Sequence, residues 1–221
     1  KLSYYDVDMG GSKVFMNLAC KPAGFYERSG YRELYDHIAA KWNSKDEFRV
    51  ILLGNAGTGK SWFQVYALKR LLDDTGREFD IIIRQVDAKI YVIDLEDASV
   101  YRWRVEVSDI GDISTSMKNS LYFFEPGEDA TMPPLGVFIP SLSTLSPFAG
   151  RIKEYRKRFC TYAYFWPWSF GEMWSVVCHS KISLDLDEFQ ARYTKFGGIL
   201  RNVLGEETGA DDELKSRLKR V

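Results

Sequence analysis

Cysteine, histidine and charge of one sign are all scarce in this chain, and each scarcity narrows what it can be. The three cysteines among 221 residues, Cys20, Cys160 and Cys178, are odd in number, far apart and without a C-x-x-C pair. Neither a disulfide framework nor a zinc site is indicated, and a reducing compartment fits. His37 and His179 are the only histidines, and the neighbours Cys178 and His179 lack the further ligands that would let adjacent residues share an ion. With 30 basic against 31 acidic residues the net charge is −1, so there is no global attraction to nucleic acid or to an anionic membrane. No run approaches the roughly 18 apolar residues of a membrane span. The start, Lys1-Leu2-Ser3-Tyr4, has neither an initiating methionine nor a signal-like apolar core, so the chain reads as a piece of something longer.

What the chain does have is a glycine-rich loop in a telling context. Gly54-Asn55-Ala56-Gly57-Thr58-Gly59-Lys60-Ser61 fits G-x-x-x-x-G-K-[ST], with the apolar run Phe48–Leu53 before it and Trp62, Phe63, Ala67, Leu68, Leu71 and Leu72 at helical spacing after it. The order strand, loop, helix predicts a phosphate-binding loop. Gly54, Gly57 and Gly59 let backbone N–H groups curl closely around phosphates. Lys60 supplies a charge for the β- and γ-phosphates and is expected to face the ligand rather than pack in the core. Ser61 supplies a hydroxyl for Mg²⁺, and the helix N-terminus favours the anion further. Asn55, Ala56, Thr58 and Trp62 complete the expected nucleotide-contacting stretch.

The length suits one domain with a small appendage. Residues 1–46 read as an N-terminal segment, irregular over 1–30, ending in an amphipathic helix on Tyr31, Leu34, Tyr35, Ile38 and Trp42. Residues 47–168 read as the α/β core. Strands are expected at 79–83, at 89–94 and 100–107 as an edge hairpin around Leu95–Ser99, at 120–127, at 136–141 and at 160–165, with a basic helix over 151–159. This alternation predicts a three-layer, mostly parallel sheet. Residues 169–221 read as a helical appendage. It opens on the capping-box spacing Ser169-Phe170-Gly171-Glu172, is broken at Gly197-Gly198, and ends in a charged tail over 211–221.

Hydrolysis needs a carboxylate at the end of an apolar strand near the loop. Asp94 and Glu125 both end such strands. Glu125 is preferred, because Leu121–Phe124 is apolar throughout, as a central strand should be, whereas Asp94 opens a turn where aspartate is at home. Glu128 and Asp129 lie just beyond Glu125. Ser141, Ser143, Thr144 and Ser146, expected to follow a strand, offer hydroxyls for a γ-phosphate or are ordinary loop residues. The cluster Arg151, Lys153, Arg156, Lys157 and Arg158 is either a solvated helix face or a nucleic-acid or nuclear-import element. Phe165-Trp166-Pro167-Trp168 with Trp174 reads as packing between sheet and appendage.

The string Leu52–Gln64 resembles the P-loop ATPase domain shared by crinkler effectors and retrotransposon hot spot proteins, a divergent AAA-like group. Leu121-Tyr122-Phe123-Phe124-Glu125-Pro126 looks like that family's Walker B strand. Phe165–Glu172 is similar to its aromatic-Pro-Trp-Ser segment, and Phe196-Gly197-Gly198-Ile199-Leu200-Arg201 resembles its Gly-Gly-x-Pro-Arg element. The likeness spans roughly residues 48–205. It departs at Ala56 and at Leu200, where the family commonly has proline. The resemblance implies an ATP- and Mg²⁺-dependent nucleoside triphosphatase with Arg201 as a γ-phosphate-sensing arginine beside Lys60 and Glu125, and Ser61 and Glu125 on the metal. It also implies a secreted effector module acting in host cytoplasm or nucleus. The alternative is a nucleotide-dependent binding switch with little turnover, whose partner is a host protein or nucleic acid; oligomeric state is left open.

Overall fold

In the parallel core strands of this protein, alternate residues are apolar on both faces, which is the pattern of a sheet covered on two sides. The computed structural model describes residues 3–5, 25–43, 48–74, 76, 78–86, 89–96, 100–103, 119–126, 139–147, 160–180 and 182–205. Two short strands, β1 (Ser3–Tyr5) and β2 (Phe25–Glu27), form an antiparallel pair. The other strands are β3 (Arg49–Leu53), β4 (Ile81–Val86), β5 (Lys89–Asp94), β6 (Val100–Trp103), β7 (Ser120–Glu125), β8 (Ser141–Leu145) and β9 (Thr161–Tyr164). They make one seven-stranded sheet in the order β6-β5-β4-β7-β8-β3-β9. From β4 to β9 every neighbouring pair is parallel, while β4, β5 and β6 meander antiparallel at one edge. The fold is mixed α/β with a mostly parallel sheet.

Two helices cover one face. Helix α1 (Tyr31–Trp42) and α2 (Lys60–Asp73) bury Tyr31, Ile38, Trp42, Phe63 and Leu68 against Val50, Leu52, Ile82, Leu121 and Phe123. Each such large side chain contributes about 1.5–3 kcal/mol by leaving water. The odd partners Ile51, Leu53 and Ile83, with Tyr122 and Phe124, point the other way into a second cluster. The basic helix expected over 151–159, the loop carboxylates Glu128 and Asp129 and the tail 211–221 lie outside the described residues, as does the 104–107 end of the hairpin strand.

Helices α3 (Phe170–His179), α4 (Leu186–Phe196) and α5 (Leu200–Leu204) form the appendage with its own apolar cluster on Met173, Phe189 and Val203. Ser169 caps α3 in a reciprocal capping box with Glu172. Trp168 belongs to the appendage cluster and Phe165 to the sheet cluster, so the aromatic segment is the seam between them. No helix among the described residues is long and apolar enough to cross a membrane.

Two expectations need correction. The N-terminal segment is not wholly irregular, because β1 and β2 pair within it. The strand expected at 136–141 lies at 141–145 instead: Ser141, Ser143 and Thr144 are buried inside β8, not after it. Their polarity reads as loop in sequence. A central parallel strand can carry hydroxyls where neighbours satisfy them, and Gln64 donates to Thr144 Oγ1 at 3.0 Å.

Candidate functional site

Parallel strands deliver their carboxyl ends to one edge of a sheet, and that edge decides which side chains meet. Strand β3 ends there at Leu53 and turns directly into Gly54–Ser61, whose last two residues open α2. Gly57 (φ 79°) and Gly59 (φ 104°) take left-handed backbone that side-chain-bearing residues rarely adopt. Gly59 caps α2 without a side-chain acceptor, so the first turn keeps its N–H groups uncapped by side chains. The loop is held from within: Thr58 Oγ1 donates to the Asn55 carbonyl at 2.8 Å, and Lys60 Nζ donates to the carbonyls of Gly54 and Asn55 at 2.6 and 2.8 Å. Lys60 is therefore mostly buried at 9% exposure rather than simply facing outward. An ammonium drawn out of water needs acceptors, and the loop's own carbonyls supply them.

Glu125 ends β7 at the same edge. Its Oε1 accepts from the Ser61 hydroxyl, and its Oε2 pairs with Arg84 Nη2 at 2.9 Å. Register explains the pairing, since Arg84 lies opposite Phe123 and Val86 opposite Glu125, which puts Arg84 and Glu125 on one face, a diagonal step apart. Gln64, one turn into α2 on that face, accepts from Arg84 Nε at 3.3 Å and donates to the Phe124 carbonyl and to Thr144 Oγ1, each at 3.0 Å. Because arginine only donates, the Gln64 amide orientation is determined, and Thr144, as an acceptor, keeps its own O–H to give. Arg84 and Gln64 were not anticipated. A charge inside the otherwise apolar Ile81-Ile82-Ile83 strand was the available signal, because it demands a buried partner.

Asp94 is elsewhere. Strand β5 runs against β4 and pairs Asp94 with Ile81, at the opposite edge of the sheet, where Asp94 Oδ1 accepts from the Glu96 N–H in a local turn.

The appendage reaches the loop through the Gly197-Gly198 break. Gly198 packs so closely that a Cβ there would lie 2.3 Å from the Trp168 carbonyl oxygen, and the Gly198 carbonyl accepts from Trp168 N–H at 2.9 Å. This seats Ile199 and Arg201 over the loop: a Cβ on Gly57 would lie 2.9 Å from Ile199 Cγ2 and 3.2 Å from Arg201 Cβ. Together these elements border an open cavity of about 680 Å³. Gly57, Lys60, Ser61, Glu125, Thr144 and Arg201 line it, as do Ala56, Gly59, Trp62 and Ser146. Tyr26, Val176, Leu200 and Leu204 add apolar wall. The size suits a nucleotide-scale ligand. Burial pushes the Tyr31 phenol well above its ordinary value despite nearby Arg28, so it stays protonated at the cavity wall.

The chain matches no protein-family model, and no curated protein matches it in sequence.

Proposed function

We propose that this chain binds Mg²⁺-ATP through a phosphate-binding loop at Gly54–Ser61 and hydrolyses the terminal phosphoanhydride. The observation that carries this reading is the one cavity on which Lys60 and Ser61, Glu125 and Arg201 converge from three separate parts of the chain. In it, the loop N–H groups and Lys60 bind the β- and γ-phosphates, Lys60 exchanging its carbonyl acceptors for phosphate oxygens. The oxygen donors Ser61 and Glu125 fit a hard cation and would hold Mg²⁺, which neutralises phosphate charge when bound. Glu125 orients water, and Arg201 reports on the γ-phosphate from the appendage. The resemblance to the crinkler and hot spot ATPase group supports the same assignment and an action inside a host cell.

One feature favours the second reading, a nucleotide-dependent switch with little turnover. Both oxygens of Glu125 are engaged, one by Ser61 and one by Arg84, an arrangement better suited to holding the metal's water than to taking a proton. The two readings share a first test, ATP affinity and phosphate release for wild type and Lys60→Ala, with circular dichroism to verify the fold. Folded Lys60→Ala should lose detectable phosphate release. Unchanged release in that variant removes the phosphate-loop reading, while tight ATP binding by wild type with negligible release selects the switch.

A further inference from the structure

Arg28 lies in the short turn between β2 and α1, yet its side chain is fully buried. Nη1 donates to the carbonyls of Thr58 at 3.1 Å and Trp166 at 3.0 Å, and Nη2 donates to the Pro167 carbonyl at 2.9 Å and to Glu172 Oε2 at 3.3 Å. The guanidinium carbon stands 4.3 Å from the Trp168 ring centroid, 5.2 Å from Phe165 and 5.4 Å from Trp166. If filling this space were the only requirement, methionine or leucine would meet it without the desolvation of a charge. A planar fork of donors is needed only if the carbonyls themselves must be held.

The Thr58 carbonyl matters most, because it belongs to the glycine-rich loop. In a trans peptide the C=O and the following N–H point in opposite directions. With the Thr58 oxygen turned to Arg28, the Gly59 N–H faces away from Arg28, and Gly59 is part of the cavity wall that Arg28 does not reach. A peptide next to left-handed Gly59, with left-handed Gly57 just before it, has little intrinsic resistance to flipping.

We propose that Arg28 is a positioning residue of the anion loop: it locks the Thr58–Gly59 peptide so that the Gly59 N–H is presented to a phosphate oxygen. This rests on the phosphate-binding reading above. No family motif within 48–205 contains Arg28, which reaches the loop from 30 residues upstream.

The test compares ADP affinity, by titration calorimetry, and thermal stability for wild type, Arg28→Lys and Glu172→Gln. Lysine keeps the charge but cannot hold several carbonyls in one plane, so Arg28→Lys should weaken ADP binding about tenfold or more, the worth of one charge-assisted hydrogen bond. Glu172→Gln removes the charge from a different partner of the same guanidinium and leaves its Thr58 contact, so it should lose stability while keeping ADP affinity within about threefold. Equal ADP affinity in Arg28→Lys overturns the positioning role, as does affinity that falls in both variants in step with stability. Wild-type protein that binds no ADP overturns the phosphate reading instead. A measurement on ¹⁵N-labelled wild type covers the case in which Arg28→Lys fails to fold: ADP should move the Gly59 amide proton strongly downfield, and an unmoved Gly59 refutes the proposal.

Discussion

Replacing Glu125 with glutamine perturbs two things at once, and the structure separates their sizes. The amide keeps the shape but removes the charge that faces Arg84, whose side chain is 0% exposed while that of Glu125 is 23% exposed. Stripping one partner from a fully buried pair costs about 3–5 kcal/mol. Water reaches Glu125, and the amide oxygen still accepts, so the loss should be nearer that of one charge-assisted hydrogen bond, about 1.5–3 kcal/mol. At about 2–4 °C per kcal/mol for a chain of this size, the melting temperature should fall by about 3–12 °C. Urea unfolding followed by tryptophan fluorescence measures the free-energy loss, and a thermal melt the temperature shift. The double variant Arg84→Met with Glu125→Gln should recover part of the loss, because no buried charge is then left short of a partner. ATP should still bind Glu125→Gln while turnover falls by about 10²–10⁴. A single variant as stable as wild type would refute the premise that Glu125 neutralises Arg84.

Four further outcomes are expected. Asp94→Asn should leave both ATP turnover and melting temperature nearly unchanged, since the residue serves a local turn at the far edge of the sheet; a dead Asp94→Asn beside an active Glu125→Gln in the same assay would reverse the assignment. Gly198→Ala forces a Cβ against the Trp168 backbone and strains the hydrogen bond there, so it should cost about 2–4 kcal/mol in urea titration and weaken ATP binding with it. Arg201→Ala, at an exposed position, should slow phosphate release more than it weakens ADP binding, and equal losses would count against γ-phosphate sensing. The Glu172 carboxyl is pushed up by burial but held below its ordinary value overall by hydrogen bonds from Ser169 and Ser29 and by the Arg28 charge. Its folded value being depressed, its contribution is present above the unfolded value of about 4.3 and is lost as pH falls through the folded one, so Glu172→Gln should show a shallower loss of stability under acid unfolding below about pH 4.5.

Much of the site was legible because its chemistry is local. The glycine-rich loop, α2 behind it and the capping box at Ser169 are contiguous strings whose spacing alone carries the geometry. Glu125 was legible because Leu121–Phe124 is apolar on both faces. Strand β8 was not, because Ser-Leu-Ser-Thr-Leu is a polar string made buriable only by Gln64 and its neighbours in the sheet. The partners of Arg84 and Gln64 were hidden for the same reason: Arg84 is satisfied by Gln64 and Glu125, and Gln64 by Arg84, Phe124 and Thr144, all far apart in sequence. Arg28 left no trace at all, since its partners lie at positions 58, 166, 167 and 172 and share no sequence pattern with it.

The position of β3 in the sheet also sets a timetable. Its two neighbours are β8 and β9, so Val50 must wait for both Leu142 and Thr161 before its backbone is paired on both sides. A nascent chain that has just emerged through Glu125 already contains the loop, α1, α2 and the carboxylate, yet it has no strand to pair with β3. Pairings of such long sequence separation are slow to close and leave apolar edges open meanwhile. Fragments ending before about residue 165 should therefore be caught by chaperones or proteases during synthesis.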